Sequence, residues 1–166
     1  MNQYNEYVAI TRSRLKEYNM LKARVKVLDQ QIAQTKSVLD SEIAAPIANY
    51  SGMPRGGGSE LNVIEAATHD RMKRQNDLSI MILNRDTVQS KIDNIDSAIN
   101  SLQDDEQDII KERYIYADSW EHIGGKRHYS ERWAREKGGK ALKKIAFVLF
   151  GLKARPPEQI RFVFAQ

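Results

Sequence analysis

From about Tyr4 to Ile43 apolar residues return at helical intervals. One seven-residue series runs Tyr4, Thr11, Tyr18, Val25, Ile32 and Leu39, and a second, offset by three, includes Tyr7, Leu21 and Leu28. Glycine and proline are absent before Pro46, so the pattern predicts one helix over about 4–45, roughly 60 Å long at the α-helical rise. Two apolar seams in a seven-residue frame need a partner helix to cover them. Arg14, Thr35 and Glu42 interrupt the second seam, which favours a helical hairpin over a long regular coiled coil. The stretch PIANYSGMPRGGGS at 46–59 holds two prolines and four glycines and must end the helix. A second helical pattern then fills about 60–102, with Ser59 as its N-cap. Its apolar stripe is clearest in Leu78, Met81, Val88, Ile92, Ile95, Ile99 and Leu102. Two helices of similar length joined by a glycine-rich loop read as an antiparallel pair. Periodicity leaves open whether the pairing is within one chain or between two copies.

Beyond Leu102 the pattern shortens. Asp104 with Gln107, and Asp118 with Glu121, have capping-box spacing, and Ser130 before Glu131 marks a third start. These signals predict helices near 104–116, 119–126 and 130–149, the last stopped by Gly151. A short helix, a turn through Arg127–Tyr129 and a longer basic helix make a helix-turn-helix layout. Its expected core is Ile109, Ile110, Tyr114, Trp120, Ile123, Tyr129, Ala134, Leu142 and Ile145. The fold class is therefore all-α. A long antiparallel hairpin occupies 1–102, a helix-turn-helix domain 103–150 and a tail 151–166. Ile160, Phe162 and Phe164 alternate with Arg161 and Val163 in that tail, as a short strand, a docking peptide or an arm folded back on the core.

Charge sharpens the picture. The 166 residues carry a net charge of only +4. Residues 103–121 hold two basic and seven acidic groups, net −5, whereas 122–166 hold eleven basic and three acidic, net +8. The basic block coincides with the last long helix. A recognition helix reads base edges from its N-terminal turns while other basic groups hold phosphates. Arg132, Arg135 and Glu131 are the candidates for base contact, since arginine can donate two bonds to guanine. Lys126, Arg127, Ser130, Lys137, Lys140, Lys143 and Lys144 are the candidates for phosphate contact. Trp120 and Trp133 are read as packing residues, with base stacking as the alternative.

The stretch DDEQDIIKERYIYADSWEHIGGKRHYSERWAREKGGKALKKI resembles region 4 of sigma-70-type factors. It shares the acidic start, Arg113–Tyr114, the E-x-I-G at Glu121–Gly124, the serine opening the last helix and the K-A-L-K-K at Lys140–Lys144. With YSGMPRGGG at Tyr50–Gly58 between two long helices, the chain is similar to RinA/ArpU-type late-gene transcription activators of phages infecting Gram-positive bacteria. The resemblance implies promoter binding and contact with host RNA polymerase. Arg127 and Lys137 stand at positions that are apolar in that pattern, and His128 stands in place of a turn glycine. Gly138–Gly139 fall inside the reading helix, where each costs up to ~1 kcal/mol relative to alanine. A break at this pair would leave a short reading element at 130–137 and a separate closing helix.

Other chemistry is poorly supported. There is no cysteine, which removes thiolate metal sites and thiol catalysis. His69, His122 and His128 lack metal-ligand spacing, and capping accounts for Asp104, Asp105 and Glu106. The loop Arg55-Gly-Gly-Gly lacks the spacing of a phosphate-binding loop. It is read as a flexible hairpin loop, with a promoter or polymerase contact through Arg55 as the alternative. No enzyme, cofactor, metal or membrane span is expected, and no targeting segment, which points to the cytoplasm; the resemblance implies that of a bacterial host cell. Two further readings remain: a small-terminase-like DNA packaging adaptor, and a structural coiled-coil adaptor. Either could form a homo-oligomer through the hairpin.

Overall fold

A computed structural model describes residues 3–44 and 59–154, and every regular element among them is helical. The fold is all-α. The loop through Arg55 and the tail residues 155–166 lie outside the described residues. Helix α1 is Gln3–Ala44 and α2 is Ser59–Asn100, so Ser59 is the first residue of α2 rather than a cap before it.

The molecule divides into two compact units, residues 23–88 and the combination of 1–22 with 89–166. In the first unit Val25, Leu28, Ile32 and Leu39 are buried along α1. Opposite, Leu78, Met81 and Val88 of α2 are half-buried. Arg85 Nε donates to Asp29 Oδ1 at 2.9 Å, and Arg74 pairs with Glu42. The two helices therefore run in opposite directions through this unit. Glu42, an interruption of the apolar series, is an ion-pair partner across the seam.

In the second unit Thr11, Leu15 and Tyr18 of α1 are buried, as are Ile92, Ile95, Ala98 and Ile99 of α2 and Leu102 beyond it. The Tyr18 hydroxyl donates to Asp96 Oδ1 at 2.7 Å. Asn19 Nδ2 donates to the Ile115 carbonyl at 3.0 Å, and the Tyr7 and Phe150 rings meet with centroids 5.0 Å apart. Arg14, another interruption of the seam, lies 4.9 Å over the Phe150 ring. These contacts tie the start of α1 to the C-terminal helices within this unit.

Helix α3, Asp104–Ile110, runs directly into a single π-helical turn, Lys111–Ile115. Its N-cap is Gln103, which makes no side-chain cap bond. Gln107 instead donates to the Leu102 carbonyl at 3.1 Å, so the capping box expected at Asp104 does not form. Helix α4 is Trp120–Lys126, and its cap is Ser119, not Asp118: Ser119 Oγ accepts from the His122 amide at 3.1 Å. Helix α5, Glu131–Phe150, starts on Ser130, whose Oγ accepts from the Trp133 amide at 3.2 Å. It ends at Gly151, with φ 63°, before a 3₁₀ turn at Gly151–Ala154.

Candidate nucleic-acid interface

Helices α4 and α5 are joined by four residues whose path is fixed by backbone chemistry. The His128 amide donates to the Gly125 carbonyl and the Tyr129 amide to the Gly124 carbonyl, at 3.1 and 2.9 Å. This pair of bonds is a Schellman closure, in which the residue after the C-cap adopts the left-handed conformation. His128 does so with φ 57°, where the related pattern has glycine. The chain then folds back so closely that a Cβ on Gly124 would lie 2.8 Å from the Tyr129 carbonyl oxygen and 3.1 Å from Ser130 backbone atoms. Only glycine fits there.

The crossing beneath the turn is as tight. Ile109, Ile123 and Ala134 form one buried cluster with Trp120 and Trp133 packed against it. A Cβ on Gly138 would lie 2.5 Å from Trp120 Cη2 and 3.1 Å from Ile109 Cγ2, so the glycine admits the indole edge. Helix α5 runs as one element through Gly138 and Gly139, so the helix is not broken there. Ile110, Tyr114, Ile123, Ala134, Leu142 and Ile145 are buried, and Trp120 is half-buried. Tyr129, expected in the core, is 53% exposed. It is stacked on Trp133 with ring centroids 3.9 Å apart, while Lys137 lies 4.9 Å over the Trp133 ring. The turn geometry places Tyr129 outside the crossing, where it covers Trp133.

The basic residues separate into two sets. One set faces the acidic stretch of α3 and the π turn. Glu112, 10% exposed at its side chain, receives Lys126 Nζ at 2.7 Å and pairs with Arg127, itself 17% exposed. Arg127 Nη2 also lies 3.7 Å from Asp108 Oδ2. Lys137 Nζ donates to Asp105 at 3.1 Å, and Lys144 Nζ to both oxygens of buried Glu106 at 2.8 and 2.9 Å. Asp105 and Glu106 thus clamp α3 to α5, and capping does not account for them. Arg127 and Lys137, polar where the related pattern is apolar, each face a carboxylate. Arg127, named for phosphate contact, is largely enclosed in this network.

The Glu112 carboxyl feels opposed influences. Burial pushes it up, but the hydrogen bonds from Arg127 and Lys126 win, and it sits below the ordinary glutamate value of 4.5.

The second set lies on exposed faces of α5. Arg132 is exposed at its first turn, beside Glu131, and Arg135 pairs with Glu131 one turn on. Lys140 Nζ donates to Glu136 at 2.8 Å, which holds the Glu136 carboxyl low. Lys143 is exposed further along, and Ser130 is engaged as the helix cap. Sequence reasoning missed the buried carboxylates Glu106 and Glu112 and the packing roles of Gly124 and Gly138. The one available signal was the repeated Gly-Gly pair.

A family model matches residues 11–146, which include all of this arrangement except the end of α5: the family described as proteins of unknown function, DUF722. The chain belongs to that family. Comparison with curated proteins and with solved structures finds no match to either. Among the described residues of this family member, no helix is long and apolar enough to cross a membrane. No group of histidine, aspartate and glutamate among them could hold a metal ion.

Proposed function

We propose that this chain is a sequence-specific DNA-binding transcription regulator of the phage late-gene type. In this reading α4, the 127–130 turn and α5 form a helix-turn-helix, and the paired long helices form a hairpin available for contact with RNA polymerase or a second copy. The observation that carries it is the locked α4–α5 turn, which leaves Arg132 and Arg135 exposed at the N-terminal end of α5. That is the part of a recognition helix that meets base edges. The pair between Arg135 and Glu131 is exposed on both sides, and such pairs contribute ~0–1 kcal/mol, so a guanine edge can displace it. The resemblance to sigma region 4 supplies the promoter and the polymerase as partners. Host RNA polymerase and double-stranded promoter DNA are thus proposed together.

Selection of binding sites from random duplexes, followed by gel shifts on selected and scrambled DNA, tests the reading. Arg132→Ala and Arg135→Ala are expected to weaken binding to the selected site by ~1–3 kcal/mol and to leave scrambled DNA nearly unchanged. Lys143→Ala is expected to weaken both alike. Equal losses on both duplexes for the arginine variants would remove the base-reading assignment. A chain that binds no duplex at low salt would leave the coiled-coil adaptor in front, and a large ring in solution would favour packaging.

A further inference from the structure

Two helical stripes face each other beside the α4–α5 crossing. Val8, Arg12 and Lys16 recur every fourth residue along α1, and Arg135, Gly139 and Lys143 do the same along α5. Together with Arg113, Tyr114, Trp120 and Leu142 they line one open cleft of about 410 Å³. Five of its ten lining residues are cationic and none is acidic. Of these cations Arg135 pairs with Glu131, which is outside the lining, and the α5 pairs Lys137–Asp105, Lys140–Glu136 and Lys144–Glu106 also lie outside it. The cleft gathers its cations with no carboxylate in its wall. Like charges held in one concavity oppose folding and concentrate the field inside it, which raises local anion concentration.

One cation is already fixed in place. Arg113 Nη1 donates to the Asp118 carbonyl at 2.7 Å, and its guanidinium lies 5.1 Å over the Trp120 ring. Trp120 is in turn met edge-on by Tyr114, at 6.3 Å and 85°. The wall between the two stripes is thus rigid and aromatic, and a side chain at Gly139 would find nothing within 4 Å. Arginine forks on a firm scaffold suit tetrahedral oxyanions that accept several charge-assisted bonds.

We propose that this cleft is a phosphate-binding site, with Arg12 and Lys16 of α1 as ligands that neither the α4–α5 pair nor its resemblance to sigma factors includes. The proposal does not depend on base reading by α5. Its phosphate comes either from the backbone of a duplex lying along α5 or from a free polyphosphate group, and the two sources share the same chemistry.

The test uses the full chain and two variants. Arg12→Gln with Lys16→Gln removes two cations, and Gly139→Leu obstructs the cleft without changing charge. Circular dichroism and the thermal midpoint establish that each is folded. Inorganic tripolyphosphate is titrated by calorimetry, and a short duplex of mixed sequence by anisotropy over a range of salt. Both variants are expected to weaken tripolyphosphate binding by on the order of tenfold or more. If duplex phosphates are the source, the double variant also lowers the slope of log affinity against log salt by about 1.8, near 0.9 per lost contact. If free polyphosphate is the source, tripolyphosphate binding falls while duplex affinity and slope stay as in the parent. The proposal is overturned if the folded variants match the parent for tripolyphosphate and also in duplex salt slope. Loss of discrimination between selected and scrambled DNA, with these results intact, would count against base reading alone.

Discussion

His128 and Ala117 hold φ values of 57° and 63°, the two non-glycine residues with positive φ among the described residues. Each closes a helical segment just before the next begins, and the left-handed conformation costs a side-chain-bearing residue about 1–2 kcal/mol. Glycine at either position removes that cost and recovers less than all of it, because it also loosens the unfolded chain. His128→Gly and Ala117→Gly are each expected to stabilise the fold by about 0.5–1 kcal/mol, read as a higher thermal midpoint. A fall in midpoint for both would show that the histidine and alanine side chains contribute more than the strain they cost. His128 stood out in the sequence because glycine is expected there. Ala117 did not, because nothing in SerTrpGluHis or the residues before it announces a π turn that must be closed.

At the scale of elements, the crossing of α5 with α3 and α4 depends on which glycine of each pair faces inward. A Cβ at Gly138 collides with Trp120 and Ile109, and one at Gly124 collides with the backbone of the turn, whereas Gly139 and Gly125 face open space. The same substitution at adjacent positions should therefore have opposite signs. Gly139→Ala is expected to stabilise by up to ~1 kcal/mol through helix propensity. Gly138→Ala gains the same propensity but forces the crossing apart, for a net loss of about 1–2 kcal/mol. Chemical denaturation of the two single variants measures both, and a stabilised Gly138→Ala would mean that Trp120 moves aside without cost. The period of the apolar residues made the long helices legible, along with Ser130 and Gly151 as the limits of α5. Packing of the glycines was not legible, because a glycine pair inside a helix reads as a weakness until its neighbours are known. Tyr129 was misplaced for the same reason: its spacing fits the interior, but the Schellman closure at His128 turns it out onto Trp133. The exposed arginines of α5 were readable from charge. Arg12 and Lys16 were not, since only the three-dimensional fold brings them beside Arg135.

For the whole molecule, the contrast of an acidic stretch beside a basic one has a structural use before any external partner is considered. Asp105, Glu106, Asp108 and Glu112 face Lys137, Lys144, Arg127 and Lys126, so much of the C-terminal positive charge is answered internally. Arg132, Arg135 and Lys143 stay exposed on α5, outside that internal network. The internal network makes stability sensitive to acid through Glu112. Its carboxyl is lower in the folded chain than its ordinary 4.5, so it binds protons more weakly when folded than when unfolded. The stabilisation is fully present above that ordinary value and is lost as pH falls through the lower, folded value. Around it stand Lys126, Arg127 and Asp108; when Glu112 is protonated Lys126 loses this carboxylate partner and Arg127 keeps only the longer contact with Asp108. Glu112→Gln keeps the shape but removes the charge, leaving the enclosed Arg127 without its main ion pair. At neutral pH the variant is expected to be less stable by about 1–3 kcal/mol. The gap to the parent should narrow as pH falls below 4.5, because protonation then brings the parent to the same neutral state. Urea unfolding of both proteins at a series of pH values supplies the measurement. A gap that stays constant into acid would show that Glu112 acts through packing alone, and that the ion pairs joining the π turn to α4 add nothing to the fold.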